Sequence, residues 1–534
     1  SNILGMSVPD AGGPPPPCHG HRASPRCTAM VVWSVLVSKS SKSIGQRLSV
    51  RHLARSTLAA MLKKIVSCAA LALTVWVAPV QAQDAPSTLP RTVQAALKRA
   101  QIPADALSVF VAPAPPGQAP RLDWQSTAPR NPASVMKLVT TYAALDQLGP
   151  AFVWRTPLYL DGVIDNGAFR GTVYIRGAGD PKLVSERLWL LLGRLAGLGV
   201  RVIVGDIVLD RTAFALAPHD PGAFDGEPFR PYNVGPDALL INYNSQVLGF
   251  LPDPGAGVAR IHYELPLAGV ALPSSVPLAP EGSACGDWRA QLQANWSQPQ
   301  QVQLTGTYPA SCGDKNWPVA LPEPERFAAK AIEGMWRALG GQLTGTVRDG
   351  QVPPGLKPAW ENQSPALAEV VRDINKYSNN VMTQQLLLTL AKERTGQGSF
   401  DAARFLLTQW WQQRWPSAPV PEVDNGAGLS RAAQVTAAGL GQMLQSVWAS
   451  PVMAEFMASL PIAGTDGTLR RSQANASAHL KTGSLRDANA LAGFVDGRSG
   501  QRYVLVAFIN HANAGNGRPV MDALVDWAAQ DQGR

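Results

Sequence analysis

The sequence predicts an α+β fold in which helices and an antiparallel sheet are drawn from both ends of the chain, around a large β-rich insertion. Three observations carry this. An amphipathic stretch over residues 134–149 follows Pro132 and ends at Gly149-Pro150, the punctuation of a helix. Near the other end, strand-like runs at 490–495 and 503–509 flank the turn sequence Asp496-Gly497-Arg498-Ser499-Gly500. Between them, residues 212–325 are rich in Pro and Gly with short strand patterns, which reads as β-rich insertion and not as linker. At 46% hydrophobic and 16% charged, the 534-residue chain can bury several cores.

The elements follow in order. Residues 90–100 (PRTVQAALKRA) predict a helix and 106–111 a buried strand. After the 134–149 helix, residues 156–183 alternate strand and turn signals. A Leu-rich helix over 184–198 and a strand over 202–209 come next. Past the insertion, helical periodicity returns at 327–339 and dominates 366–392. Helices at 435–448 and 455–460 precede the two late strands, and a helix at 520–529 closes the chain. No internal repeat of 20–50 residues interrupts this order.

The net charge of +9 is unevenly placed. Residues 1–82 hold nine of the 47 Lys and Arg but one of the 38 acids, so residues 83–534 carry a net charge of only +1. A basic nucleic-acid-binding domain is excluded on those grounds. The basic segment instead contains a leader. From Met61 the chain reads MLKKIVSCAALALTVWVAPVQAQDAPS: two lysines, an apolar run, then Val80-Gln81-Ala82 with small residues at the −3 and −1 positions. That is the anatomy of a signal peptide over 61–82, cleaved after Ala82, and the apolar run is short for a membrane span. Residues 1–60, with four consecutive prolines and no periodicity, read as a non-functional leader or a disordered extension. At most peripheral contact with membrane is expected of the rest.

Of five cysteines only Cys285 and Cys312 lie beyond the leader. In an exported chain, with no histidine near either, they predict a disulfide. His219, His262, His479 and His511 are far apart in sequence, and the chain lacks Gly-x-Ser-x-Gly and His-Glu-x-x-His. No metal and no cofactor is expected, and His479 reads as structural.

Three short motifs carry the chemistry. Ser134-Val135-Met136-Lys137 puts a hydroxyl and an amine on one helix face, near the unpaired N–H groups of a helix start. Ser378-Asn379-Asn380 lies between helix-like segments, and Lys481-Thr482-Gly483 precedes the late strands. Alone, each is an ordinary helix face, helix cap or strand end. In this order they match the set carried by class A β-lactamases and penicillin-binding proteins. A lysine desolvated near a second cation, Lys481, can be neutral enough to deprotonate Ser134. Ser378 can relay a proton to a leaving amine, and Asn380 can hold the substrate's amide backbone. Lys481 and Thr482 suit a terminal carboxylate, while Gly483 leaves room for substrate along the strand edge. The N–H groups of Ser134 and Ser484 would form the oxyanion hole.

With PASVMK, IRGAGDPKL (175–183), GDIVLD (205–210), DNGAGLSR (424–431), LPIAGTDGTL (460–469) and LKTGSL (480–485), the chain resembles the D-alanyl-D-alanine carboxypeptidase/endopeptidases of the penicillin-binding protein 4 type over most of residues 90–530. The interval of 244 residues from Ser134 to Ser378 fits that family's insertion of two small β-rich domains. The resemblance implies a β-lactamase/transpeptidase-like domain from 83–155 and 350–534, interrupted by 156–349. It implies cleavage of D-alanyl-D-alanine ends and D-alanyl-meso-diaminopimelyl crosslinks of peptidoglycan stem peptides, and acylation by β-lactam antibiotics, in the periplasm. Ser134 carries over as nucleophile and Lys137 as base, with Ser378, Asn380 and Lys481 from the other motifs. Asn379 stands where many relatives have Asp, and Ala427 where a Ser is usual. Two other readings keep the motifs: a serine β-lactamase, although no Glu-x-x-x-Asn lies between the second and third motifs, and an inactive peptidoglycan-binding scaffold.

Overall fold

A computed structural model describes residues 88–532. The readings of residues 1–60 and of the signal peptide, with its cleavage after Ala82, lie outside the described residues.

Both ends of the chain build one sheet. Strand β1 (Leu107–Pro113) pairs with Leu122–Trp124 on one side, and on the other with a C-terminal meander of β2 (Ala478–Leu485), β3 (Ala488–Asp496) and β4 (Arg502–Asn510). Every pairing is antiparallel, in the order β2-β3-β4-β1 and then Leu122–Trp124, with Leu107 opposite Ile509. The sheet is buried on both faces because its side chains alternate between two cores. Val504, Val506 and Phe508 enter one, and Leu505, Ala507 and Ile509 the other. This is why β4 reads as an unbroken apolar run.

The first core is filled by α1 (Lys137–Leu148), α2 (Leu367–Tyr377) and α3 (Asn380–Thr395), with Phe400–Arg414 and Ala437–Trp448. The second is covered by Arg91–Ala100 and α4 (Arg518–Ala529). The helix over Phe400–Arg414 is missing from the sequence reading. It inserts Trp410 and Trp411 into a cluster with Tyr142 and Trp415.

The middle of the chain forms a seven-stranded mixed sheet and a four-stranded antiparallel sheet that share a hydrophobic core. The mixed sheet begins at Arg155–Asp165 and takes in Trp360–Gln363, which pairs antiparallel with it. The expected single strand at 202–209 is two, Val202–Val204 and Ile207–Asp210. Gly205 breaks it at φ 146°, where an added Cβ would lie 2.0 Å from the Gly171 carbonyl oxygen. Likewise 366–392 is two helices, parted at Ser378-Asn379. The predicted 435–448 helix starts at Ala437, where the Thr436 hydroxyl accepts from the Gly439 N–H. Cys285 and Cys312 are joined in a disulfide within this middle region. Three contacts fasten the region to the helices beside Ser378: Lys182 to Asp373 on α2, Gln385 of α3 to the Asp237 carbonyl, and Asn380 to the Tyr232 carbonyl.

Candidate active site

The three motifs meet where α1, the α2–α3 junction and β2 converge. Ser134 sits on a short 3-10 turn, Ala133–Met136, that runs straight into α1. The turn is held from outside. The Asn131 side chain accepts from the Ala133 N–H and donates to the Ser430 carbonyl, while Asn131 and Asn510 exchange two hydrogen bonds at 2.7 and 3.0 Å. Ala133 has φ 45°, an uncommon conformation for a residue with a Cβ. Ser378 is equally constrained at φ 58°, as the left-handed cap that ends α2. Such backbone is kept only where the surroundings over-determine it. At Ser378 the clamp is Lys376, whose ammonium lies 2.6 Å from Asp466. Burial pushes the Asp466 carboxyl up, but the Lys376 ammonium and the Ile462 N–H outweigh it and hold the group below the usual carboxylate range.

Around Ser134 the side chains form one connected network. Lys137 Nζ is 3.0 Å from Ser134 Oγ, and it donates to Asn380 Oδ1 and the Ala427 carbonyl, each at 2.6 Å. Lys481 Nζ donates to Ser378 Oγ at 2.9 Å and to the Thr482 carbonyl at 2.7 Å. Both lysines are fully buried. Burial, and after it the Lys481 charge, holds Lys137 well below the ordinary lysine range. Burial brings Lys481 down to about 7. The arrangement therefore offers a half-buried hydroxyl next to an amine with little tendency to stay charged, and a second amine that titrates near neutrality. Among the described residues, no cluster of His, Cys, Asp and Glu could hold a metal ion.

The remaining singled-out residues are placed differently from one another. Thr482 Oγ1 donates to Thr468 Oγ1 at 2.7 Å, and Ser484 is exposed beside it on the edge strand β2. Gly483 faces inward. A Cβ there would lie 2.5 Å from the Pro132 carbonyl oxygen and 2.9 Å from the Ser134 nitrogen. The missing side chain of Gly483 makes room for the turn that carries Ser134. Asn380 is also busier than expected, since its Nδ2 is taken by the Tyr232 carbonyl at 2.9 Å and its oxygen by Lys137.

Both departures from the resembled pattern have a structural account. Asn379 turns away from the network and caps α3, its oxygen accepting from the Met382 N–H, a role Asn fills as well as Asp. Ala427 meets Lys137 through its backbone carbonyl, which no side-chain exchange removes. The loop around it is set by Gly426 and Gly428, both at positive φ. A Cβ on Gly428 would meet the Ala133 carbonyl oxygen at 1.8 Å. Sequence reasoning missed Asn131, Asn510, Asp466 and the Ala427 carbonyl. The runs DNGAGLSR and LPIAGTDGTL pointed to two of these, but a carbonyl contact and an Asn–Asn pair 379 residues apart leave no local signature.

A cavity of about 700 Å³ opens onto Ser134 and Ser378, and a second of about 410 Å³ lies beside Ser378, lined by Tyr232, Tyr243, Tyr377 and Asn380. Comparison with known proteins agrees with the geometry. The model of the D-Ala-D-Ala carboxypeptidase 3 (S13) family matches residues 89–531. A D-alanyl-D-alanine carboxypeptidase of Actinomadura sp. (strain R39) is 27% identical over 408 residues, covering 72% of this chain and 74% of the relative. The D-alanyl-D-alanine carboxypeptidase DacB of Haemophilus influenzae is 26% identical over 398 residues, covering 72% and 81%. In fold, the chain is similar to the crystal structure of penicillin binding protein 4 from Haemophilus influenzae, at a TM-score of 0.65 and 24% identity, over 82% of this chain and 98% of that one. That protein has also been solved in complex with a β-lactam.

Proposed function

The chain belongs to the D-Ala-D-Ala carboxypeptidase 3 (S13) family and is a serine-type DD-peptidase, a hydrolase; from that premise we propose that its acyl-enzyme forms on Ser134. The observation that carries the proposal is the set of three oxygens around Lys137 Nζ, from Ser134, Asn380 and Ala427, read with the amine neutral. A neutral amine has two N–H bonds and one lone pair. The two N–H bonds are taken by Asn380 Oδ1 and the Ala427 carbonyl, which leaves the lone pair for the Ser134 O–H at 3.0 Å. Lys137 is the base in this reading.

Ser134 Oγ attacks the carbonyl carbon of the penultimate D-alanine as Lys137 takes its proton. The oxyanion is received by the Ser134 and Ser484 N–H groups, a pairing supported by the packing of Gly483 on the Ser134 nitrogen. Ser378, hydrogen-bonded to Lys481, passes a proton to the leaving amine as the C–N bond breaks. Lys481 and Thr482 hold the terminal carboxylate. The substrate lies along the edge of β2 beyond Leu480, past the stretch that residues 461–463 cover, as an added strand. Water then attacks the ester, with the same groups returning the proton to Ser134. The reading extends to peptidoglycan stem peptides as substrate, β-lactams as acylating inhibitors, and a periplasmic location, for which the disulfide is the supporting observation. No described helix is long and apolar enough to cross a membrane.

The test is an intact-mass time course of the purified protein with a penicillin. The expected result is a single long-lived adduct, absent in Ser134→Ala, whose fold is unchanged. A transient adduct with catalytic loss of drug would favour a β-lactamase instead. No adduct and no drug loss would leave an inactive scaffold.

A further inference from the structure

The catalytic network does not close on itself. Asn380 turns its amide oxygen to Lys137 at 2.6 Å, and its nitrogen is claimed elsewhere: Nδ2 donates at 2.9 Å to the main-chain carbonyl of Tyr232, in the middle region. A carbonyl can only accept, so it takes the nitrogen end of the amide and leaves the oxygen for Lys137. Turned over, the same amide would point an N–H at Lys137 and compete with the Ser134 O–H for the lone pair of the amine. It would also face the Tyr232 carbonyl with an oxygen that cannot bond to it. The orientation on which the base depends is set by one peptide group outside the three motifs.

That peptide group is gripped through both of its residues. The Tyr232 carbonyl belongs to the peptide joining Tyr232 to Asn233, on the 3-10 turn Pro231–Asn233. Asp225 accepts from the Tyr232 hydroxyl at 2.9 Å through one carboxylate oxygen, and from Asn233 Nδ2 at 2.7 Å through the other. Asn233 is buried; its Nδ2 also reaches the Glu227 carbonyl at 2.9 Å, and its own carbonyl lies 2.7 Å from His219 Nε2. Burial pushes the Asp225 carboxyl up, but the hydrogen bonds from Asn233 and Tyr232 outweigh it and hold the group below the usual carboxylate range. It therefore stays an acceptor for both. Asp225 is itself exposed, so its side chain fills no core.

We propose that Asp225 is a positioning residue of the reaction: by holding the Tyr232–Asn233 peptide it fixes which end of Asn380 faces Lys137, and so brings the middle region into the acylation step. The inference rests on the reading of Ser134 and Lys137 above, and it needs no contact between Asp225 and substrate.

The experiment measures the rate and pH dependence of acylation by a penicillin, by intact mass, for wild type, Asp225→Ala, Asn380→Ala and the double variant, each with a thermal melt. Asp225→Ala is expected to slow acylation about tenfold, part of what a well-placed base supplies. Its acid limb should move to lower pH, because the Lys137 ammonium loses an acceptor while Lys481, the charged group beside it, is unchanged. In the Asn380→Ala background the same substitution should change the rate by less than about twofold, since the residue it acts through is gone. Asp225→Asn, which keeps an acceptor for one of the two donors, should recover part of the rate. Glu227→Gln alters an acid of the same loop that pairs with Arg230 instead, and should stay within about twofold of wild type. If Asp225→Ala fails to fold, Tyr232→Phe releases one of the two grips and carries the same cycle. A folded Asp225→Ala that acylates within about twofold of wild type overturns the proposal. So does a fall that leaves the acid limb in place or persists in full without Asn380. An adduct on Ser134→Ala, or none on wild type, would instead fail the reading on which the proposal rests.

Discussion

Lys137→Met puts the proton count to the test. Methionine is unbranched and of similar length, so it fills the buried channel between Ser134 and Asn380 without a gross change of shape. The substitution removes the lone pair that would accept the Ser134 proton and strands two acceptors, Asn380 Oδ1 and the Ala427 carbonyl, each previously held at 2.6 Å. A positioned general base contributes about 10²- to 10⁴-fold, equivalent to about 3–5 kcal/mol of barrier, so acylation by a penicillin should slow by that factor. Stability changes less. Each stranded buried acceptor costs about 1–3 kcal/mol, but the variant also relieves the burial of an amine that has no acid partner. The assay is the rate of adduct formation by intact mass, with a thermal melt to establish the fold. A folded variant that acylates within about tenfold of wild type would refute the assignment, because the base would then lie elsewhere.

The other predictions concern pH, packing and the disulfide. Lys137 acts in its neutral form, so the acylation rate should fall as pH is lowered, while carboxylate binding at Lys481 should weaken as pH rises through about 7; a bell-shaped kcat/KM profile whose alkaline limb is lost in Lys481→Met is the expected record. For stability, between about 7 and the unfolded lysine value near 10.4, the unfolded chain holds a proton that the folded chain has shed. Stability should therefore rise with pH across that window, by up to about 1.4 kcal/mol per unit, and Lys481→Met should flatten the rise in melting temperature. Gly483→Ala forces a Cβ against Pro132 and the Ser134 nitrogen, so about 1–3 kcal/mol of stability should be lost and acylation slowed, as a melt and the same mass assay would record. Removing the disulfide with Cys285→Ser and Cys312→Ser opens a 27-residue loop, worth about 3.5 kcal/mol, and should lower the melting temperature while leaving the acylation rate near that of wild type.

What could be read along the chain was local in origin. The short apolar runs at 490–495 and 503–509, either side of a turn sequence, report strands, and β3 and β4 formed there. Ser134 and Lys137 are three residues apart, so helical geometry alone brings hydroxyl and amine together. The three motifs, the longer runs around them and the 244-residue interval between the first two carried the family resemblance, and the paired cysteines lie near each other in the middle region. Tertiary packing decided the rest. Asn380 comes to Lys137 from 243 residues away, and Ser378 to Lys481 from 103, along paths no periodicity encodes. The Ala427 carbonyl is a backbone group and has no letter of its own. Asn379 and Asn380 are the same residue type, yet one caps a helix and the other holds Lys137, because helical rotation turns adjacent side chains apart. Above all, the chemistry of the two lysines comes from their desolvation. A lysine in a sequence is a cation, and only the fold that closes over Lys137 and Lys481 takes away the water that keeps it one.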